Sequence, residues 1–235
     1  MVALGVVGIL VSLTLPVFTS VRERAKELKS LANMRTHTQV LATYTGEFRD
    51  VFPYMTDPEA DLSVIRGGGQ TVWVGFFELT SFWYLGLTDR YYGGVQNDFT
   101  LFTYPDYHRG HLYQYSSTLF SRPEYWVPGR RRVGAVEQLR AVKSADVRFP
   151  SAKVAFTEFR DRDDANYLPL GASGRIFEGE GFGFGFLDGS ARRPPTASLT
   201  LPYPTGDGGG PHSNYGTIGI VGVHTINGVL GRDVE

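Results

Sequence analysis

Apolar and charged positions divide the first fifty residues into two parts. Residues 2–18 hold 17 positions and no charge. Beyond them Arg22, Glu23, Lys26, Glu27 and Lys29 are interleaved with Val21, Leu28, Leu31, Met34, Val40, Leu41 and Tyr44. The apolar positions recur at spacings of three, four and seven with gaps, which gives one stripe on a helix of period 3.6. No terminator separates the two parts, and Gly46 and then Pro53 mark the end. The pattern predicts a single helix over residues 1 to about 48, bent near Pro16, where proline removes a backbone donor.

At about 1.5 Å per residue the uncharged run covers roughly 25 Å, a turn or so short of a hydrocarbon core about 30 Å thick. A secretory signal would need a basic segment before the run and a small-residue cleavage site after it. Nothing basic precedes Val2, and Arg22, Glu23, Arg24 and Lys26 follow. A buried core helix is the other alternative. Gly5, Gly8, Ser12 and Thr14 would admit close helix neighbours in a bilayer. Val2, Leu4, Gly8, Leu10, Leu13 and Pro16 are therefore expected to form the membrane and assembly surface. Leu31, Met34, Leu41 and Tyr44 are expected to pack the stalk on a head, with Leu41 and Tyr44 fully buried.

Strand signals follow the stalk. Residues 51–69 read as a loop, with Pro53, Pro58 and the Gly67-Gly68-Gly69 tract. Strands are expected at 71–77, 99–104, 111–116, 152–159, 182–187 and 218–223, with 82–85 strand or short helix and 136–142 helix or strand. The expected fold class is α+β: a long N-terminal helix, membrane-embedded in its first half, packed by its second half on a mainly antiparallel sheet. The segments are 1–20 (membrane and assembly), 21–50 (stalk) and 51–235 (one β-rich head). Phe182, Phe184 and Phe186 would share one face of their strand, while Gly183 and Gly185 leave the other bare for something to approach.

Composition changes this picture little. The chain has 235 residues, enough for a stalk and one domain. A net charge of −1 argues against electrostatic capture of nucleic acid by the whole chain. With no cysteine there is no disulfide framework. The 29 Gly and 13 Pro suit short strands and turns.

Gly8-Ile9-Leu10-Val11-Ser12-Leu13-Thr14-Leu15-Pro16-Val17, followed by Val21-Arg22-Glu23-Arg24-Ala25, resembles the N-terminal helix of type IV pilins and pseudopilins. Asn33-Met34-Arg35, then Tyr44, then Phe52-Pro53 is similar to the stalk end of the prepilin-like H-x9-DG group. Val147-Arg148-Phe149-Pro150-Ser151-Ala152-Lys153-Val154, then Gly185-Phe186-Leu187-Asp188-Gly189-Ser190, is similar to that group's later strands. Glu178 stands where the group carries its histidine. The resemblance covers the first fifty residues and roughly 147–191. It implies prepilin processing and N-terminal methylation, a single pass through the inner membrane, and a head in the periplasm or outside. Its implied partners are other pilin or pseudopilin subunits, met through the N-terminal helix. On this alignment Met1 falls inside the mature sequence. The DNA upstream is then expected to encode, in frame, a basic leader, a glycine, an aromatic residue or methionine, and an early glutamate.

Other residue patterns compete with simpler readings. Asp188-Gly189 is a hairpin turn pair. Asp161, Asp163 and Asp164, between Glu158 and Asn166, offer oxygens of the kind calcium takes, as some pseudopilin heads do. The spacing lacks the EF-hand glycine and closing glutamate, and a solvated loop with Arg160 and Arg162 as competing ion-pair partners is the simpler reading. No other cofactor is implied. His108 and His111 lack a third zinc ligand. Gly129-Arg130-Arg131-Arg132 beside Tyr125 and Trp126 would suit single-stranded nucleic acid if the rings were exposed, and a solvated turn if not. Glu178, Glu180 and Asp188 could form a glycosidase pair only at a suitable separation. No nucleophile elbow, phosphate loop or zincin motif occurs.

The leading expectation is a non-catalytic structural subunit of a type IV pilus or type II secretion-like system. The alternative is a membrane-tethered extracytoplasmic protein that recognises polysaccharide or DNA, which exposed aromatic rows would favour. An anchored hydrolase would need a convergent cluster of buried carboxylates or histidines.

Overall fold

A computed structural model describes residues 2–94, 99–103, 105, 113–130, 132, 136–158, 167–170, 174–177, 182–200 and 225–235. For residues 2–14, 99, 167–170, 174–177 and 196 the backbone alone is described. The protein mixes one long helix with antiparallel sheets, an α+β architecture.

Helix α1 spans Val2–Glu47 with Pro16 inside it, a length of about 69 Å at 1.5 Å per residue. It ends where Arg49 and Asp50 turn into positive φ (55° and 65°), and Asp50 N–H donates to Thr45 O at 2.8 Å. Glu47 fastens this end to the head, accepting from Tyr91 Oη at 2.6 Å and pairing with Arg90 at 2.7 Å.

Strands β1 (Ser63–Gly67) and β2 (Gln70–Val74) form an antiparallel hairpin. The segment 51–69 is thus not a plain loop. Gly68 and Gly69 adopt φ of 55° and 72° and make the two-residue turn, a conformation in which side chains other than those of glycine, asparagine and aspartate are strained. Expected strand 71–77 is accordingly cut short at Val74. Helices α2 (Leu79–Phe82) and α3 (Leu85–Tyr91) occupy the ambiguous 82–85 region. Residues Phe99–Leu101 form a 3-10 turn where a strand was expected, and Val136–Gln138 form another. Alternation of apolar residues was the only strand signal in the first of these, and such short runs do not discriminate strand from turn.

The larger sheet has the order β3 (Gln114–Tyr115), β4 (Val154–Thr157), β7 (Phe184–Phe186), β8 (Ala191–Arg192), all antiparallel. A second hairpin pairs β5 (Tyr167–Leu170) with β6 (Gly174–Phe177). The expected strand 218–223 lies outside the described residues. Leu41 packs into the main core with Phe52, Trp83, Phe102, Tyr115 and Phe156. A smaller core joins Val154, Phe184, Phe186 and Val234 beneath the sheet.

Candidate functional site

Two faces of α1 behave differently, and the division is not the one hydrophobicity suggests. Its buried residues are Ser30, Asn33, Met34, His37, Thr38, Leu41 and Thr45, a helical row at spacings of three and four. Five of the seven are polar. Leu31, Val40 and Tyr44 are only half-buried, so Tyr44 departs from its expected full burial. Leu28, assigned by its spacing to the same stripe, is 67% exposed, and Val21 is 57% exposed.

Three of the five polar residues, Ser30, Asn33 and His37, are met by groups of the head, whereas Thr38 Oγ1 donates to Arg35 O and Thr45 Oγ1 to Ala42 O within the helix. Glu158 follows β4 and is buried. It accepts from Ser30 Oγ, from Gly183 N–H at 3.0 Å and from Arg193 Nη2 at 2.6 Å. Tyr113 Oη donates to Ser30 Oγ at 3.0 Å. Asn33 Nδ2 donates to Thr100 O at 3.0 Å and to Tyr113 Oη at 3.4 Å. A buried carboxylate is tolerated when paired and hydrogen-bonded in this way.

One turn further on, His37 is sealed among aromatic rings. Phe102 stacks on it at 5.4 Å and Trp83 meets it edge-on at 5.0 Å. Leu101 O lies 2.9 Å from Nε2 and can only accept, which fixes the proton on Nε2. Nδ1 therefore accepts from Tyr92 Oη at 2.8 Å. Burial lowers the His37 pKa to about 3, against a smaller raising effect of the Leu101 carbonyl, so the ring is neutral.

Between these groups the sheet comes close to α1. A methyl group on Gly183 would fall 2.4 Å from Met34 Cε, and one on Gly185 would fall 3.0 Å from Thr38 Cγ2. The bare glycine face is thus occupied by α1. Phe184 and Phe186 are fully buried and Phe182 is half-buried, so they present no carbohydrate-stacking row.

Among the described residues, the apolar side chains on the opposite face of α1 have no such partners. Phe18, Val21, Ala25, Leu28 and Ala32 alternate at spacings of three and four, and all are exposed. At about 100° per residue this row lies roughly half a turn around the helix from Ser30, Asn33 and His37. Every residue from 15 to 25, Pro16 included, is exposed. Side chains of Val2, Leu4, Gly8, Leu10 and Leu13 lie outside the described residues. No helix among the described residues is long and apolar enough to cross a membrane.

A second buried ion pair closes the far side of the sheet. Lys153 Nζ donates to Asp233 Oδ1 and to Gly228 O, both at 2.8 Å. Asp233 also accepts from Val154 N–H at 2.7 Å and Thr225 Oγ1 at 2.5 Å. Burial pushes the lysine pKa down and the aspartate pKa up, and the attraction between them opposes both shifts.

The remaining expected sites fall as follows. Gly189 has φ of 85° in the turn joining β7 to β8, and Asp188 Oδ1 accepts from Ser190 N–H at 2.9 Å. Tyr125 and Trp126 are buried, which removes the rings a nucleic-acid strand would need, and Arg132 pairs with Glu137. Asp161, Asp163, Asp164, Glu178, Glu180, His108 and His111 lie outside the described residues. Among the described residues no group of acidic or histidine side chains is placed to hold a metal ion.

Ser30, His37, Thr38, Lys153, Arg193 and Asp233 escaped the sequence reading as site residues, and Glu158 entered it only at the start of the candidate calcium loop. The first three were legible in principle, since Ser30, Asn33, His37, Leu41 and Thr45 keep helical spacing; counting apolar positions alone hides them. Compared with protein-family models, curated proteins and solved structures, the chain matches none.

Proposed function

We propose that this chain is a structural, non-catalytic subunit of a type IV pilus or type II secretion-like pseudopilus. The first half of α1 anchors it in the inner membrane before assembly. The second half carries the head, packed through its mainly antiparallel sheet, on the periplasmic or outer side. The observation that carries this reading is the exposed apolar row Phe18, Val21, Ala25, Leu28 and Ala32 on the face of α1 turned away from the head. Covering a leucine, valine or phenylalanine side chain is worth about 1.5–3 kcal/mol, and alternating three-four spacing is the seam along which helices pair. In the sequence the same spacing continues back through Thr14, Val11, Val7 and Leu4. Ser30, Asn33 and His37 are each hydrogen-bonded to groups of the head, which suits a fastening between helix and head.

The test is self-association of the full-length chain in its membrane. Gentle detergent extraction, and shearing of surface material, should recover the natural chain in multimeric form. Phe18→Glu should disperse it to single copies while leaving the melting of the head unchanged. A natural chain recovered as a membrane-free monomer would refute the reading.

A further inference from the structure

The exposed apolar residues of the head are not scattered. Leu62, Val64 and Trp73 lie on the outward face of the β1–β2 hairpin, with Val64 and Trp73 directly paired across the strands and Trp73 64% exposed. Directly paired residues in an antiparallel hairpin have side chains in contact range, so these make one apolar platform. Its border on the Leu62 side is acidic, since Asp57, Glu59 and Asp61 are all exposed. Arg66, paired with Thr71, borders the other end.

The apolar row on α1 carries the opposite border. Arg24 and Arg35 flank it on one side, and Arg22 and Lys29 on the other. At about 100° per residue, Glu23 and Glu27 fall on the head-facing side of the helix, and Glu23 is engaged there by Lys26 at 2.7 Å. A seam edged by cations and a platform edged by carboxylates are complementary in both apolarity and charge. Complementarity of that kind selects partner and register.

We propose that the hairpin platform of one copy receives the stalk seam of a second copy, with Leu28 and Val21 against Trp73, Val64 and Leu62. The acidic border meets Arg22, Arg24 and Lys29, and Arg66 at the far end fixes the polarity. This rests on the assembly reading above and names the partner of its seam. The two surfaces differ, so the contact is heterologous, and a heterologous contact that does not close into a ring propagates as an open helical array.

The absence of cysteine from the chain makes the test direct. Leu28→Cys and Trp73→Cys are placed together in the full-length chain in its membrane and oxidised, beside each single variant and the pair Val21→Cys with Val64→Cys. All four positions are exposed, so the fold tolerates the changes. A ladder of disulfide-linked species from either double variant, absent from all the single variants, is the expected result. Asp61→Arg should lower its yield about two- to fivefold, the effect of one exposed ion pair, and adding Arg24→Glu should restore it. Dimers from Leu28→Cys alone, with no ladder from either double variant, would show stalk packed on stalk. That outcome overturns the hairpin contact and leaves the assembly reading standing. Single, uncrosslinked copies throughout would overturn both.

Discussion

Met34 stands in the space that a side chain on Gly183 would need: a methyl group there would lie 2.4 Å from Met34 Cε. The helix thus approaches the sheet at a distance set by an absent side chain. Gly183→Ala should destabilise the head by about 1–3 kcal/mol through overpacking. Met34→Ala, harmful alone, should be less harmful in the double variant. Thermal melts of the four combinations give the coupling, and simple additivity would contradict the contact.

Leu41 and Leu28 are the same residue type on one helix in opposite environments, 1% and 67% exposed. Leu41→Ala should cost about 2–5 kcal/mol, whereas Leu28→Ala should stay within about 0.5 kcal/mol. Equal shifts in denaturant midpoint would mean that the two faces are wrongly assigned.

His37 gives the head an acid limit. Its folded pKa is about 3, below the ordinary value of 6.5, so the unfolded chain binds the proton first. The stabilising effect of the neutral ring is full above pH 6.5 and is lost progressively as pH falls toward 3. The slope approaches about 1.4 kcal/mol per pH unit inside that window. His37→Gln should be less stable at pH 7 yet flatter between pH 6.5 and 4, and melts across that range would check it.

Asp233→Ala leaves Lys153 buried without its counter-charge and should cost about 3–5 kcal/mol. Lys153→Met combined with Asp233→Leu should cost less than Asp233→Ala alone, because an apolar pair carries no desolvation penalty. Urea titrations of the three chains would decide; a double variant worse than the single one would show that the pair contributes more than its charge.

Helix α1 was legible because its signal is local: an uncharged run joined to an amphipathic segment without a break. Strands β4 and β7 were legible as runs of branched and aromatic residues. Strand β2 was legible within the expected strand 71–77, but its partner β1 was hidden by reading 51–69 as a plain loop. The helix face was misread at Leu28 for a physical reason. Both faces keep the helical period, and the one against the head is the more polar. Only the positions of Glu158, Tyr113 and Arg193, remote in sequence, reveal that polar residues can be the buried ones. For Lys153 and Asp233, 80 residues apart, no local signal exists.

Ser30 and Glu158 are separated by 128 positions. At a synthesis rate of about 5–20 residues per second, the helix emerges roughly 6–26 seconds before its carboxylate partner is made. During that interval Ser30, Asn33, His37 and Thr38 face water, where hydroxyl, amide and imidazole groups are well solvated. An apolar face in the same place would be adhesive for the whole delay. The polar make-up of the buried row therefore keeps the head-facing side of the nascent helix from adding a second adhesive surface to the apolar row before the head is translated.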